Sequence, residues 1–279
     1  MGRFGRFGSW MKSLTNEFSL LSLNTFGLPL FLGWWRLERL ASELDNTGAT
    51  IICLQEIQQN AYAPLLARSL KTYPHRAVYP YIYAPKGGLG IYSRLPLTRQ
   101  RFEVYEDRGL RWLVTFSDWA LYKGALIAGL KVQELEIIML NTHLNANYTG
   151  NWNRKNPLAF IQHRQVQQLT RLIEKLPADA LVIICGDFNF PRDSYLYEEM
   201  VSQNGLSDPL SDDPRPTYRP FPLVPSRWKT SLDYILFRTP NGRDFQVQAD
   251  ILVMEDTTKK RPFQRFLTDH CALTLQISW

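Results

Sequence analysis

Residues 181–190 read LVIICGDFNF. Five apolar residues run straight into Gly186, Asp187, Phe188 and Asn189. The aliphatic and β-branched run predicts a buried strand over 181–185. In an extended chain residues two apart face the same side, so Asp187 and Asn189 project together while Phe188 faces the core. Taken alone, Gly-Asp-Phe-Asn is equally an Asx turn.

The same form recurs along the chain. Asn24 closes FSLLSLN and Glu56 closes TIICLQE. Ile137 to Leu140 lead into Asn141, Thr142, His143, Leu144 and Asn145, which puts Asn141, His143 and Asn145 on one side. Phe266, Leu267 and Thr268 precede Asp269 and His270, just before the run CALTLQI, and Asp233 opens a further strand in SLDYIL. Singly, each polar residue reads as a turn or cap residue. Jointly, so many at the ends of otherwise apolar strands point to one shared site. His75, after a proline in a loop, and His163, on a helix among Gln and Arg, are read as having no such role.

Outward from these strand ends, further strands are expected over 88–93, 111–118, 124–132 and 247–253, and helices over 34–44, 61–70, 161–176 and 194–202. Trp34, Leu37, Leu40 and Leu44 form an apolar stripe on the first helix. Many strands with few helices suggest sheet packed on sheet with helices outside. Six prolines in residues 209–225 predict a surface loop. The chain has 279 residues, 45% of them hydrophobic, enough for a large core without disulfide or metal staples. No repeat or linker divides it, so one domain over 17–279 is expected, preceded by an extension at 1–16. The composition excludes a disordered segment, a coiled coil and a collagen-like repeat.

Lys and Arg total 32 against 26 Asp and Glu, a net charge of +6. That favours anionic partners without choosing among nucleic acid, lipid headgroups and phosphate esters. Cys53, Cys185 and Cys271 lie in apolar segments with no metal or disulfide spacing, and read as buried thiols in a reducing compartment. The uncharged stretch 18–35 approaches the length of a membrane span, but Gly27, Pro29 and Gly33 break it into a strand and an apolar loop. With no signal-peptide pattern, the expectation is a cytoplasmic protein without a transmembrane segment.

Carboxylates, carboxamides and imidazoles without a cysteine pattern suit Mg²⁺, or Mn²⁺ in its place, more than Zn²⁺. A histidine beside acids is a general base poised near neutral pH. Neither a Gly-x-Ser-x-Gly elbow nor a P-loop is present, so serine-hydrolase and P-loop NTPase readings lack support.

LSLNTFGLP, LQEI, NTHLNANY, ICGDFNFP, SLDYIL and TDH, in this order from Asn24 onward, resemble the endonuclease/exonuclease/phosphatase superfamily. The resemblance implies an α+β fold, the DNase I-like four-layer α/β/β/α sandwich of two mixed β-sheets. It implies a Mg²⁺-dependent phosphodiesterase in which Glu56 and Asn24 form the main metal site and Asp269 contributes to it. His270 would be the general base or contact the phosphate, with Asp233 orienting its ring. Asp187 would position the nucleophile or protonate the leaving group, and Asn189 and His143 would hydrogen-bond phosphoryl oxygens. Which of Asp187 and His270 takes the proton stays open.

NTHL with Tyr148, Lys123 in KGAL, and HRQVQQL are similar to the neutral sphingomyelinase-like branch, which commonly has a histidine where this chain has Asn145. Lys123, Asn145, Trp34 and Trp35 are therefore candidate substrate-binding residues. The apolar loop 27–35 either meets a lipid interface, giving a peripheral membrane contact, or is a buried connection whose tryptophans start the helix. Arg3, Arg6, Lys259, Lys260, Arg261 and Arg265 keep DNA open as the alternative substrate. A catalytically inactive binding module is the third reading.

Overall fold

The computed structural model describes residues 16–27, 33–109, 116–219, 229–256, 258–260 and 262–279. Residues 1–15 of the expected 1–16 extension, most of the apolar loop 27–35, the end of the proline-rich loop from 220 on and Arg261 lie outside the described residues.

The 181–190 stretch forms β8 (Leu181–Asp187), buried at every position. It is the fourth strand of one five-stranded sheet, in the order β5 (Gln100–Val104), β6 (Gly124–Val132), β7 (Leu135–His143), β8, β9 (Asp233–Arg238). The facing sheet runs β10 (Gln246–Leu252), β11 (Ala272–Ser278), β1 (Glu17–Asn24), β2 (Ile51–Gln55), β4 (Gly90–Ser93), β3 (His75–Ala77).

Each sheet has one parallel pair, β1 with β2 and β7 with β8, and its other pairs are antiparallel. A parallel pair needs a crossover, and helices supply both. α1 (Gly33–Asp45) joins β1 to β2, and α4 (Pro157–Glu174) joins β7 to β8. α4 starts where Asn156 accepts from Leu158 N and Ala159 N at 2.9 and 3.3 Å, with Pro157 in the first turn where its missing N–H costs nothing.

Three apolar layers result. Inward side chains of both sheets, among them Leu20, Ile51, Leu126, Ile137, Ile183 and Leu273, form the central core. Leu37, Leu40 and Leu44 of α1 and Leu65 and Leu66 of α2 (Tyr62–Ser69) cover the outer face of the first sheet. Val166, Leu169 and Ile173 of α4 and Leu196 and Met200 of α5 (Tyr195–Ser202) cover the second. The order is helix, sheet, sheet, helix.

One polar contact crosses the central layer. Gln55 Nε2 donates to Asn141 Oδ1 at 2.7 Å, and Asn141 Nδ2 donates to Leu54 O at 2.9 Å and Gly90 O at 3.1 Å.

Several expectations change. The strand expected over 111–118 is a helix in its described part, α3 (Phe116–Ala120). Strands β3 and β5 are additional, and His75 is on the first of them rather than in a loop. Trp34 is not part of the buried stripe of α1: it is 43% exposed and Trp35 57%, because the buried positions are Leu37, Leu40, Ala41 and Leu44. Thr217, within the proline-rich segment, is fully buried rather than on the surface. No helix among the described residues is long and apolar enough to cross a membrane.

Candidate active site

The topology gathers the polar strand ends at one end of the two sheets. β1 and β2 finish there with Asn24 and, one residue on, Glu56, while β7 and β8 finish there with His143 and Asp187. β9 runs antiparallel to β8, so its first residue, Asp233, pairs in register with Asp187. β11 runs antiparallel to β1, which brings Asp269 and His270 in just ahead of it.

Asn24 is the hub on the first sheet. Its Nδ2 donates to Glu56 Oε1 at 3.1 Å and to Asp187 Oδ2 at 2.9 Å, and its Oδ1 accepts from Phe26 N at 3.0 Å. One carboxamide thus links carboxylates from the two sheets. Glu56 reaches its place with φ at +58°, and Gly27 backs it so closely that a Cβ would overlap the Glu56 carbonyl oxygen. Across the gap, Asp187 Oδ1 accepts from Asn189 N at 2.9 Å, and Asn189 is also left-handed, φ +54°. Phe188 is fully buried against Phe190 and Tyr234, as the alternation requires.

His270 and Asp233 form a tight pair, Nδ1 to Oδ2 at 2.8 Å. Thr217 supports it, donating Oγ1 to the same carboxylate oxygen at 2.6 Å and accepting from Asp233 N at 3.0 Å. Burial works to lower the His270 pKa, but Asp233, Asp187 and Asp269 outweigh it and hold the ring well above its ordinary value. The free Nε2 faces Asp187 Oδ2 at 3.8 Å, and His143 Nε2 faces the same oxygen at 3.6 Å. Burial, with Lys123 and His270, keeps His143 well below its ordinary pKa and so neutral.

Burial also raises the carboxylates. Asp187 is pushed up to about 6 by burial and by Asp233, and Asp269 to about 6 by burial and Glu56. Glu56 is raised by burial as well. Asp269 Oδ1 is buried without a hydrogen-bond partner. Several clustered carboxylates, one with an idle oxygen, form a donor set of hard oxygens that a divalent cation would stabilise. Asp187, Asp233 and His270 also lie within 4.8 Å of one another. There, however, Asp233 Oδ2 already takes two donors and His270 Nδ1 is bound to it, which leaves Glu56 and Asp269 the freer ligands. Asn24 Oδ1 keeps one lone pair beyond Phe26 N.

The remaining residues divide. Lys123 is buried, pairs with Asp118 at 3.1 Å and donates to Leu144 O at 2.7 Å, while Asp118 accepts from Ala146 N at 3.1 Å. The pair thus holds the loop that follows His143. Asn145 does not join the site: its amide is taken by Arg108 O at 3.0 Å and by Gln165. Asn189 Nδ2 donates to Leu144 O at 3.0 Å, which leaves its second proton free. Trp34 packs on Tyr62 at 6.2 Å on the outside of α1. Tyr148 lies at the rim, where burial and then Asp118, Glu56 and Asp187 push its hydroxyl up to about 12. Thr217 gave no sequence signal, and neither did Tyr218, whose ring lies 5.1 Å from that of His270. Thr268, which donates to Asn24 O at 2.7 Å, at least adjoins the Asp-His pair.

Two facing mixed sheets with helices outside, and a polar cluster where their parallel pairs end, define the class of fold. The chain belongs to the endonuclease/exonuclease/phosphatase family, whose sequence model matches residues 21–270. It is 26% identical over 193 residues to Protein angel of Drosophila melanogaster, covering 65% of this chain and 51% of that one. It is 30% identical over 166 residues to sphingomyelin phosphodiesterase 2 of Mus musculus, covering 57% and 38%. The chain spans about half or less of these curated relatives. The fold superposes on beta toxin of Staphylococcus aureus, in a crystal structure with bound magnesium ions, with a TM-score of 0.71 at 15% identity, covering 93% of this chain and 99% of that one.

Proposed function

We propose that this protein is a divalent-metal-dependent phosphodiesterase whose substrate is a phospholipid headgroup diester. The carrying observation is the Asp233–His270 pair facing Asp187 across 3.8 Å, with Glu56 and Asp269 beside it. A water seated to one side of that pair can hydrogen-bond both the imidazole and the carboxylate.

Glu56, Asp269 and the Asn24 carboxamide would hold Mg²⁺ or Mn²⁺, which when bound neutralises charge on a phosphoryl oxygen. The protein's own groups divide the rest of the work. Asp233 accepts the His270 Nδ1 proton, so Nε2–H of the charged ring points at the gap and suits a phosphoryl oxygen. Neutral His143 and the free amide proton of Asn189 offer further hydrogen bonds from the opposite side. Asp187, whose two oxygens already accept from Asn24 and Asn189, takes the proton of the attacking water. On this reading Asp187, rather than His270, is the general base.

The lipid substrate rests on the likeness to sphingomyelin phosphodiesterase 2 and on the exposure of Trp34 and Trp35 at the start of α1. A peripheral membrane contact and a cytoplasmic location belong to the same reading. A panel of sphingomyelin vesicles, phosphoinositides, plasmid DNA and bis-p-nitrophenyl phosphate, run with Mg²⁺ and with EDTA, tests it. Lipid turnover that EDTA abolishes and Mg²⁺ or Mn²⁺ restores is expected. Plasmid nicking without lipid cleavage points to the nuclease alternative, and no turnover of any substrate to an inactive binding module.

A further inference from the structure

We propose that Arg36 is the positioning residue of the metal site, fixing the segments that carry Asn24 and Asp269 relative to each other. The inference rests on the metal-dependent reading above.

The planar guanidinium is rooted in α1, whose Leu37, Leu40, Ala41 and Leu44 are buried against the first sheet. Its Nη1 donates to Thr25 O at 2.8 Å and also to Leu267 O, and its Nη2 donates to Phe26 O. Thr25 and Phe26 are the two residues after Asn24, and Leu267 lies two before Asp269. One side chain therefore clasps the backbone of Thr25 and of Leu267, from opposite ends of the chain.

Other contacts serve the same joint. The guanidinium lies 5.3 Å from the Phe26 ring, whose edge meets Phe266 at 6.0 Å. Phe26 is held at φ +50°, a conformation a bulky residue keeps only when its surroundings fix it. Thr268 donates to Asn24 O at 2.7 Å, and Thr25 N donates to Gln55 O at 3.0 Å. The segments bearing Asn24, Glu56 and Asp269 thus form one tied unit with Arg36 at its joint. Five donors in a fixed fork suit such a clasp, and a lysine ammonium cannot reproduce that geometry.

The charge of Arg36 would act in the opposite direction. It sits close enough to Asp269 and Glu56 to interact with both electrostatically. A cation beside a cation site weakens metal binding by repulsion. Position and charge therefore make opposite predictions for its removal.

The test is Mn²⁺ binding to the full chain without substrate, measured as free Mn²⁺ by electron paramagnetic resonance, on wild type, Arg36→Gln and Arg36→Lys. Outer partners of metal ligands commonly contribute 10–100-fold in affinity. The expected result is a dissociation constant raised at least about ten-fold in Arg36→Gln and by a smaller factor in Arg36→Lys. Tighter or unchanged binding in Arg36→Gln would overturn the positioning role, because it is what a charge role alone produces. Should Arg36→Gln fail to fold, Arg36→Lys decides: wild-type affinity there sinks the proposal, since charge is kept and the fork lost. If wild type itself binds no Mn²⁺, the metal reading fails first and this inference with it.

Discussion

Glu56 shows how much one residue is asked to do. Its φ of +58° is a conformation that a side chain with a Cβ resists, at a cost on the order of 1–3 kcal/mol. Gly27 and Asn24 hold it there. Glu56→Gly should therefore be more stable than Glu56→Ala by about 1 kcal/mol in urea denaturation, although glycine is the worse residue at most positions. Both variants should lose Mn²⁺ binding. At His270 the folded-state pKa lies above the ordinary 6.5, chiefly because Asp233 overcomes burial. Such a group adds stability that is complete below its unfolded pKa and is lost as pH rises through the folded one. The metal-free protein should thus melt at progressively lower temperature from about pH 6.5 upward. Asp187 and Asp269, raised to about 6, titrate mostly below that range, so the slope above about pH 7 belongs to His270. Asp233→Asn should flatten it, and an unchanged slope would count against the pair.

Among the elements, the two parallel pairs deliver the site. Each is a strand, helix, strand unit, and each places two polar residues at its carboxyl ends. These units were the legible part of the sequence: β1, β2, β7, β8, α1 and α4 all follow from apolar runs ended by a polar residue. The strands missed, His75–Ala77 and Gln100–Val104, are short edge strands, and the second has no fully buried position to leave a clear alternation. Over 111–118 aromatic and aliphatic residues suggested a strand, yet the described end is a helix, so composition misled where periodicity was weak. Gly186 is the most constrained point of β8. With φ at +139° it faces the Thr142 carbonyl so closely that a Cβ would overlap it. Gly186→Ala must part β7 from β8 just where His143 and Asp187 pair, and should cost roughly 2 kcal/mol or more by thermal denaturation. Its remaining folded population should have a markedly lower kcat.

At the scale of the molecule, the site belongs to neither sheet. Asn24, Glu56, Asp269 and His270 arrive with one, and His143, Asp187, Asn189 and Asp233 with the other. The sequence showed these residues as a set of like strand ends, but not which atoms meet. The pairing of Asp233 with His270, its support by Thr217, and the withdrawal of Asn145 all depend on how distant strands dock. Within the central core, the Gln55–Asn141 contact gives the apolar layer between the sheets a direction. Asn141→Leu should destabilise the fold by about 1–3 kcal/mol in urea, because the buried Gln55 amide loses its shortest hydrogen bond, keeping Ser22 Oγ at 3.2 Å, and the carbonyls of Leu54 and Gly90 lose the Asn141 donor. Adding Gln55→Leu should recover part of the loss, and no recovery would mean the two amides act independently.

That contact should also favour the native alignment of the two sheets during folding. Apolar faces attract without preferring one alignment, so two such sheets could settle a side-chain row out of place at little cost. A copy shifted in that way would bury an amide with nothing to bond, and would be unstable for that reason alone. The alignment that this contact favours is also the one in which the two halves of the candidate site meet, so stability and an assembled site go together.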